Sequence, residues 1–451
     1  MKKLNITFCS FPDFSGNAKA LYEYMEKTYK DKMNYTWVVY NKNSVDRLKE
    51  KGINVVLMAT EEFKSYIPKT NVFFTTQGNL DGDKIKCKNA VYIELWHGIG
   101  PKPVGFAQKK PSKDDIKGYG NIGRIVDYFI VPSEFWKTIF GAVFKVEYNR
   151  VKDLGMPIVD YFKYSDGKKN LSKIINADIS KYKKIIMYMP TFKQGFNHSD
   201  VKNISNNIFN FNKEYKEEIL DNFLEEKNYL LCVKKHPGDV SNFNFKNYKN
   251  IISIDEDVLF SNDLSVNEIL NAFDLMITDY SSIGTEFVFF DKPILYVIGD
   301  YNEYKENRGV YFDDLDFWMP GPKSTNIENL KFEIDKLLNE TEYFKTEREN
   351  RRKLWYGDTK DGGCDKICDL LFDNDGQLLN TVERHNSELI NLKIRNEKMK
   401  KTINNDRRKI KNQKERIKYL ENLEQELASI KYSRSYRFIE KIKSIFKNSI
   451  K

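Results

Sequence analysis

Short apolar runs alternate with stretches of helical spacing along most of the chain. The runs Asn5–Phe11, Tyr35–Tyr40, Asn54–Met58, Val72–Thr76, Ala90–Trp96 and Asp127–Pro132 read as strands. Between the first two, Ala18–Lys30 places Leu21, Tyr24 and Met25 at helical spacing, with Asn17 placed to cap the helix. Strands that are apolar along their whole length are buried on both faces, and their alternation with helices points to a covered parallel sheet. A second set follows: Lys184–Met189, Tyr229–Val233, Ile251–Ile254, Leu275–Thr278 and Pro293–Ile298. The polar stretch Lys163–Lys183 between the sets reads as a connection. The expectation is an α/β protein with two doubly wound domains in tandem, residues 1–165 and 175–372.

The pattern changes near Asp373. Glycine and proline stop after Gly376, and Lys, Arg, Glu, Asn and Leu/Ile take over. Leu389, Asn396, Ile403, Ile410 and Ile417 fall on one heptad position, and Leu392, Met399, Asp406, Gln413, Leu420 and Leu427 on its partner. That is a coiled-coil seam with a polar middle over 376–430, suited to homo-oligomerisation or spacing; one long solvated helix is the plainer alternative. The last stretch, residues 431–451, holds seven Lys or Arg against one Glu. Ile439, Ile442, Phe446 and Ile450 line one helical face of it. A basic amphipathic helix suits an anionic membrane surface, and a frayed tail is the alternative.

Composition narrows the class. Over 451 residues, 40% are hydrophobic and 14% aromatic, which excludes global disorder. The net charge of +9 is modest, and the core lacks nucleic-acid motifs, so no nucleic-acid partner is expected. Five cysteines, Cys9, Cys87, Cys232, Cys364 and Cys368, fit a reduced cytoplasmic setting. Cys364 and Cys368 share a helix face but have no second ligand pair beside them, so no metal site is expected. The N-terminus reads as a strand rather than a signal peptide, and no window approaches the roughly 18 apolar residues of a membrane span. Membrane contact is therefore expected to be peripheral.

In open parallel sheets, ligands bind beyond the carboxyl ends of the strands. Four polar patterns sit at such ends: Trp96-His97-Gly98, Pro190-Thr191-Phe192-Lys193, Lys234-Lys235-His236-Pro237 and Thr278-Asp279-Tyr280-Ser281-Ser282. Two serines opening a helix offer hydroxyls and free N–H groups to an anion; ordinary N-capping explains them equally well. His236 is kept out of regular helix by Pro237 and can donate to a phosphate oxygen or simply occupy a surface turn. His97 is one of four histidines in the chain, and its glycine neighbours admit a ligand close to the backbone. An imidazole titrates near about pH 6.5 and can take a hydroxyl proton, although a lone histidine there could be packing. Asp81-Gly82-Asp83 and Asp313-Asp314-Leu315-Asp316 read as turn chemistry rather than metal motifs. Neither a P-loop nor G-x-G-x-x-G occurs.

With these residues the chain resembles the CDP-glycerol glycerophosphotransferase family of teichoic-acid primases and polymerases, from about residue 10 to about residue 370. The resemblance is carried by Asn17-Ala18-Lys19-Ala20-Leu21-Tyr22-Glu23-Tyr24, Trp96-His97-Gly98, Met189-Pro190-Thr191, His236-Pro237, Thr278 to Ser282, Arg308-Gly309 and Pro320-Gly321-Pro322, all in order. It departs at Ile99-Gly100-Pro101-Lys102, at Lys193 and at Gly284-Thr285-Glu286. The resemblance implies two Rossmann-like domains in the GT-B arrangement, with acceptor on the first domain and CDP donor on the second. It implies transfer of a polyol phosphate, glycerol or ribitol, from a CDP donor to a hydroxyl of a lipid-linked or growing teichoic-acid or capsule polymer, with release of CMP. It also implies peripheral attachment to the inner face of the cell membrane.

On that reading His97 is the base and His236 contacts the donor pyrophosphate. Trp96, Gly98, Lys102, Pro190, Thr191, Lys193, Lys235, Asp279, Ser281, Ser282 and Arg308 complete the substrate-binding set, with Lys234 able to share the role of Lys235. No cofactor is required, and any Mg2+ would accompany the donor pyrophosphate. Two rival classes use the same residues differently: a GT-B glycosyltransferase taking a nucleotide sugar, and a non-catalytic membrane-docked scaffold with a degenerate cleft.

Overall fold

The computed structural model describes residues 3–77, 90–191, 208–209, 211, 215–235, 245–307, 309–358, 361–382, 387–431 and 433–448. Thirteen strands are described: β1 (Leu4–Cys9), β2 (Met33–Val39), β3 (Val55–Leu57), β4 (Val72–Thr75), β5 (Val91–Glu94), β6 (Tyr128–Val131), β7 (Val151–Asp153), β8 (Lys184–Met189), β9 (Tyr229–Val233), β10 (Ile251–Ser253), β11 (Leu275–Thr278), β12 (Ile294–Val297) and β13 (Lys323–Ser324). They form a seven-stranded sheet, ordered β3-β2-β1-β4-β5-β6-β7, and a six-stranded sheet, ordered β10-β9-β8-β11-β12-β13. Every pairing within these two sheets is parallel. The two-sheet α/β expectation holds. β7 and β13 are additions, being two or three residues long and too short to carry a periodic signal.

Register decides which motifs meet. Thr75 lies opposite Glu94, which puts the residues after β4 beside those after β5. Thr278 lies opposite Met189, so the Asp279 segment emerges beside Pro190-Thr191. Tyr188 lies opposite Val233, which brings Lys234 and Lys235 to the same edge.

The stretch read as a polar connection is largely helical. Helices span Val159–Tyr164 and Gly167–Ile175, with Leu171 and Ile174 buried. The Asp166 side chain caps the second by accepting from Lys169 N at 3.2 Å, and Asn176 closes it in the left-handed conformation. Its many lysines surround a narrow apolar stripe, so the connection carries a helix of its own.

Residues 1–385 form one compact unit. One apolar cluster runs through both sheets, from Trp96, Phe129 and Trp136 to Met276, Phe287, Trp318 and Trp355. The helix Cys364–Leu371 returns to the first sheet, where Cys364, Ile367 and Cys368 pack with Leu21 and Met25. Polar contacts join the halves elsewhere. Lys19 Nζ, almost wholly buried, donates to Glu268 Oε2 at 2.8 Å and to the Asp263 carbonyl at 2.7 Å. The Arg47 guanidinium stacks 3.7 Å from the Phe260 ring centroid, donates to the Phe260 carbonyl at 2.9 Å and pairs with Asp263.

Residues 386–451 form the other unit. It contains a 45-residue helix, Ser387–Lys431, and a 15-residue helix, Arg434–Asn448. At about 1.5 Å per residue the first is roughly 68 Å long. Met399, Ile403, Ile410, Ile417, Leu420 and Leu427 are exposed along it. Among the described residues, no helix is long and apolar enough to cross a membrane.

Candidate active site

The site begins where β5 stops. The apolar run continues to Trp96, but Trp96 adopts φ 51°, a left-handed conformation that ends the strand at Glu94. Such backbone strain persists only where the surroundings over-determine it. Three contacts do so here. Glu94 Oε1 accepts from Trp96 N at 2.8 Å. Asn17 Nδ2 donates to the carbonyls of Leu95 and Trp96, at 3.2 and 2.9 Å. The Trp96 indole is buried against Phe144, with ring centroids 4.6 Å apart. Asn17 is therefore not the helix cap that its position predicts: Ser15 is the N-cap residue, and the Asn17 amide grips the strand end.

The turn projects His97 with its ring centroid 4.3 Å from that of Trp96. The Thr76 carbonyl lies 2.9 Å from His97 Nδ1. A carbonyl only accepts, so Nδ1 carries the hydrogen and the Nε2 lone pair is left for chemistry. The His97 side chain is solvent-exposed, while its Nδ1 edge is held by the Thr76 carbonyl. Burial lowers its pKa from 6.5, the Thr76 hydrogen bond opposes that, and the nearby positive charge of Lys102 lowers it further. The net shift is downward, which favours a neutral imidazole with a basic Nε2 at neutral pH.

The loop after His97 docks on the second half. A Cβ on Gly98 would lie 3.2 Å from Glu286 Oε1 and 3.4 Å from Ser282 Oγ. One on Gly100 would lie 3.2 Å from Ser282 Cα. Thr285 Oγ1 donates to the Ile99 carbonyl, Tyr311 N donates to the Pro101 carbonyl at 3.1 Å, and Val104 N donates to Tyr311 Oη at 3.2 Å. Glycine at 98 and 100 is what lets the backbone lie directly on the helix Ser282–Val288.

On the second half, Asp279 Oδ1 accepts from Thr191 N at 2.7 Å and from Thr191 Oγ1 at 2.6 Å. Thr278 Oγ1 donates to the Met189 carbonyl at 2.7 Å. Asp279 thus fixes the Pro190-Thr191 turn beside the serines. Ser281 occupies the N-cap position of the helix, yet its hydroxyl makes no capping bond, and Ser282 is exposed. Capping, the plain reading of these serines, does not occupy the Ser281 hydroxyl. Lys234 is buried and paired with Glu256, whereas Lys235 lies 5.4 Å over the Phe245 ring. Lys193, His236 and Arg308 lie outside the described residues, as does the Asp81-Gly82-Asp83 turn. Among the described residues, no three His, Cys, Asp or Glu side chains are grouped to hold a metal ion.

The structure therefore brings Gly98 and Gly100, on the turn that carries His97, against Ser282, with Thr191 and Asp279 joined on the second half. Asn17, Thr76, Glu94 and Glu286 were not singled out for these positions. Only the buried acid inside the Ala90–Trp96 run and the Asn-x-Lys opening gave a signal for any of them.

Comparison with known proteins supplies the family. The family model for CDP-glycerol:poly(glycerophosphate) glycerophosphotransferase matches residues 1–373. The chain is 30% identical over 340 residues to the teichoic acid glycerol-phosphate primase of Bacillus subtilis (strain 168), covering 72% of this chain and 82% of that protein. It is 27% identical over 340 residues to the teichoic acid poly(glycerol phosphate) polymerase of Bacillus spizizenii (strain ATCC 23059 / NRRL B-14472 / W23), covering 72% and 81%. The solved structure of the wall teichoic acid polymerase TagF shares the fold, with TM-score 0.64 and 21% identity over 88% of this chain and 90% of that one. The Trp-His-Gly turn, the Thr-Asp-Tyr-Ser-Ser element and the two parallel sheets agree with the match along residues 1–373: the chain belongs to the CDP-glycerol:poly(glycerophosphate) glycerophosphotransferase family.

Proposed function

We propose that the protein transfers glycerol phosphate from CDP-glycerol to a hydroxyl of a teichoic-acid polymer or its lipid-linked primer, releasing CMP. The observation that carries this reading is His97, with Nδ1–H held by the Thr76 carbonyl and the Nε2 lone pair left for chemistry, on a turn packed against Ser282. The acceptor oxygen attacks the distal phosphorus of the donor. A new P–O bond forms, the bond to the bridging oxygen breaks, the acceptor proton passes to His97 Nε2, and CMP departs with that oxygen. Transfer of this kind depends on positioning and charge stabilisation rather than covalent chemistry by the protein. Residues 1–165 carry the acceptor side and residues 175–372 the donor side, where Ser281, Ser282, Thr191 and Lys235 face the phosphates. His236, Lys193 and Arg308 are assigned to the same donor side from their motifs.

The same reading places the protein on the inner face of the cell membrane. The helix Arg434–Asn448 exposes Phe438, Ile439, Ile442 and Ile445 amid Arg434, Arg437, Lys441 and Lys443. Apolar and basic residues together suit an anionic lipid surface. The exposed heptad residues of Ser387–Lys431 suit pairing with a second copy.

A donor panel tests the function. CDP-glycerol, CDP-ribitol and UDP-sugars are each offered with a lipid-linked acceptor, and products are weighed by mass spectrometry. CMP release with growth of the acceptor by one glycerol phosphate is the expected outcome. UDP release from a sugar donor would establish a glycosyltransferase instead, and the absence of nucleotide binding would leave a scaffold.

A further inference from the structure

Glu286 lies one helical turn beyond Ser282, on the same face of the helix Ser282–Val288. It is 4% exposed. Oε1 sits 3.2 Å from where a Cβ on Gly98 would be, directly beneath the turn that presents His97. Oε2 accepts from the neutral amide of Asn267, Nδ2 to Oε2 at 2.8 Å. Among the described residues it forms no ion pair. A carboxyl this buried, with an amide as its partner, favours the protonated form over the ionised one at neutral pH. In agreement, burial pushes its pKa up to about 8, and the Asn267 hydrogen bond opposes the shift.

The surroundings explain the need. His97 and Lys102 lie on the docked loop, the Lys19–Glu268 pair flanks Asn267, and Tyr356, on the helix behind, donates its hydroxyl to the Thr285 carbonyl at 3.1 Å. The donor's phosphates would approach on the other side of Ser282. An ionised carboxylate here would repel them through a low-dielectric wall, and it could only accept hydrogen bonds.

We propose that Glu286 is a positioning residue for the transfer, a neutral carboxylic acid that sets the spacing between the His97 turn and the Ser281-Ser282 segment without placing negative charge beside the donor phosphates. This rests on the glycerophosphotransferase reading, in which both segments serve one reaction.

The test compares full-length wild type, Glu286→Gln and Glu286→Ala. Two readouts are used: the infrared carboxylic-acid band at pH 6 to 10, and the pH dependence of CMP release from CDP-glycerol with a lipid-linked acceptor. In wild type, a protonated-carboxyl band that is lost on alkalinisation, and absent from Glu286→Gln, reports the state of Glu286 whatever the substrate. Wild-type kcat should fall above about pH 8, near the Glu286 pKa. Glu286→Gln should stay within about threefold of wild type at pH 7 and lack that fall, while Glu286→Ala loses about tenfold or more in kcat with little change in donor KM. An alkaline fall that persists unchanged in Glu286→Gln overturns the proposal. So does a folded Glu286→Gln with under 1% activity at pH 7, which would make the carboxyl proton part of the chemistry. A wild type with the band intact but no CMP release from CDP-glycerol would instead sink the glycerophosphotransferase reading.

Discussion

The amide of Asn17 donates to the carbonyl of Trp96 at 2.9 Å, tying the first helix to the turn that carries the proposed base. The same side chain accepts from Ile158 N at 3.0 Å. Asn17→Ala would leave a buried N–H and two carbonyls without that partner, and each such group costs about 1–3 kcal/mol. A lowered thermal midpoint is expected, with kcat down about 10- to 100-fold, because small displacements of a catalytic group are costly. Asn17→Asp should be at least as harmful, since a carboxylate would face two carbonyls. A variant with normal kcat would show that the clamp does not position His97.

His97 sets the acid side of the pH profile. Its pKa lies below 6.5 because burial disfavours the imidazolium, and Lys102 adds to the shift. The base form therefore predominates at pH 6.5 and above and is lost as pH falls through the lowered value. kcat should hold at neutrality and show an acid limb whose midpoint lies below 6.5. Lys102→Gln removes one cause, so its acid limb should move upward. His97→Ala should cost about 10²–10⁴-fold in kcat. Near-normal turnover of His97→Ala with normal donor binding would end the base assignment.

How much of this was legible in sequence follows from what each residue does locally. Continuous apolar runs declared the two parallel sheets, because burial on both faces leaves no alternation to misread. The strand-end motifs were visible for the same reason: polar residues stop those runs abruptly. The left-handed turn at Trp96 was not, since it is imposed by Asn17, Glu94 and an aromatic pocket contributed from elsewhere in the chain. Glu286 read only as a departure in a motif; its place beneath Gly98 depends on how the halves dock, which no periodicity encodes.

Gly98 and Gly100 make a paired prediction. A methyl on Gly98 would press on Glu286 Oε1, the end of a side chain, at 3.2 Å. A methyl on Gly100 would press on Ser282 Cα, which belongs to the helix backbone, at 3.2 Å. Gly98→Ala should reduce kcat modestly, and adding Glu286→Asp, which withdraws the carboxyl, should restore part of the loss. Gly100→Ala should not be rescued by that change. Equal rescue of both variants would contradict the packing described.

Lys19 and Glu268 join the two halves through a nearly dry contact, with side chains 3% and 11% exposed. Removing one partner of a buried pair strands the other and costs about 3–5 kcal/mol. Lys19→Met alone should lower the denaturant midpoint strongly. Lys19→Met with Glu268→Leu should recover much of it, because the Glu268 charge is no longer stranded and only the more exposed Glu23 loses a partner. Denaturant titration of both variants decides this, and a double variant as unstable as the single would show that the pair contributes net attraction rather than merely avoiding a stranded charge.

The helix Arg434–Asn448 offers the test of membrane contact. Arg437 and Lys441 are exposed, while Lys443 is engaged with Glu440 at 2.9 Å, so the first two have the freer charges. Each basic residue near an anionic surface contributes about 1 kcal/mol. Arg437→Glu with Lys441→Glu should therefore weaken binding to phosphatidylglycerol vesicles by about 30-fold or more, and raising salt should weaken the wild type towards the same level. Ile442→Glu should weaken binding at every salt concentration, because it removes apolar burial rather than charge. Turnover measured with a soluble acceptor should be unchanged in both variants, since neither substitution alters the residues assigned to the reaction. Vesicle binding indifferent to all three substitutions would place the membrane contact elsewhere on the chain.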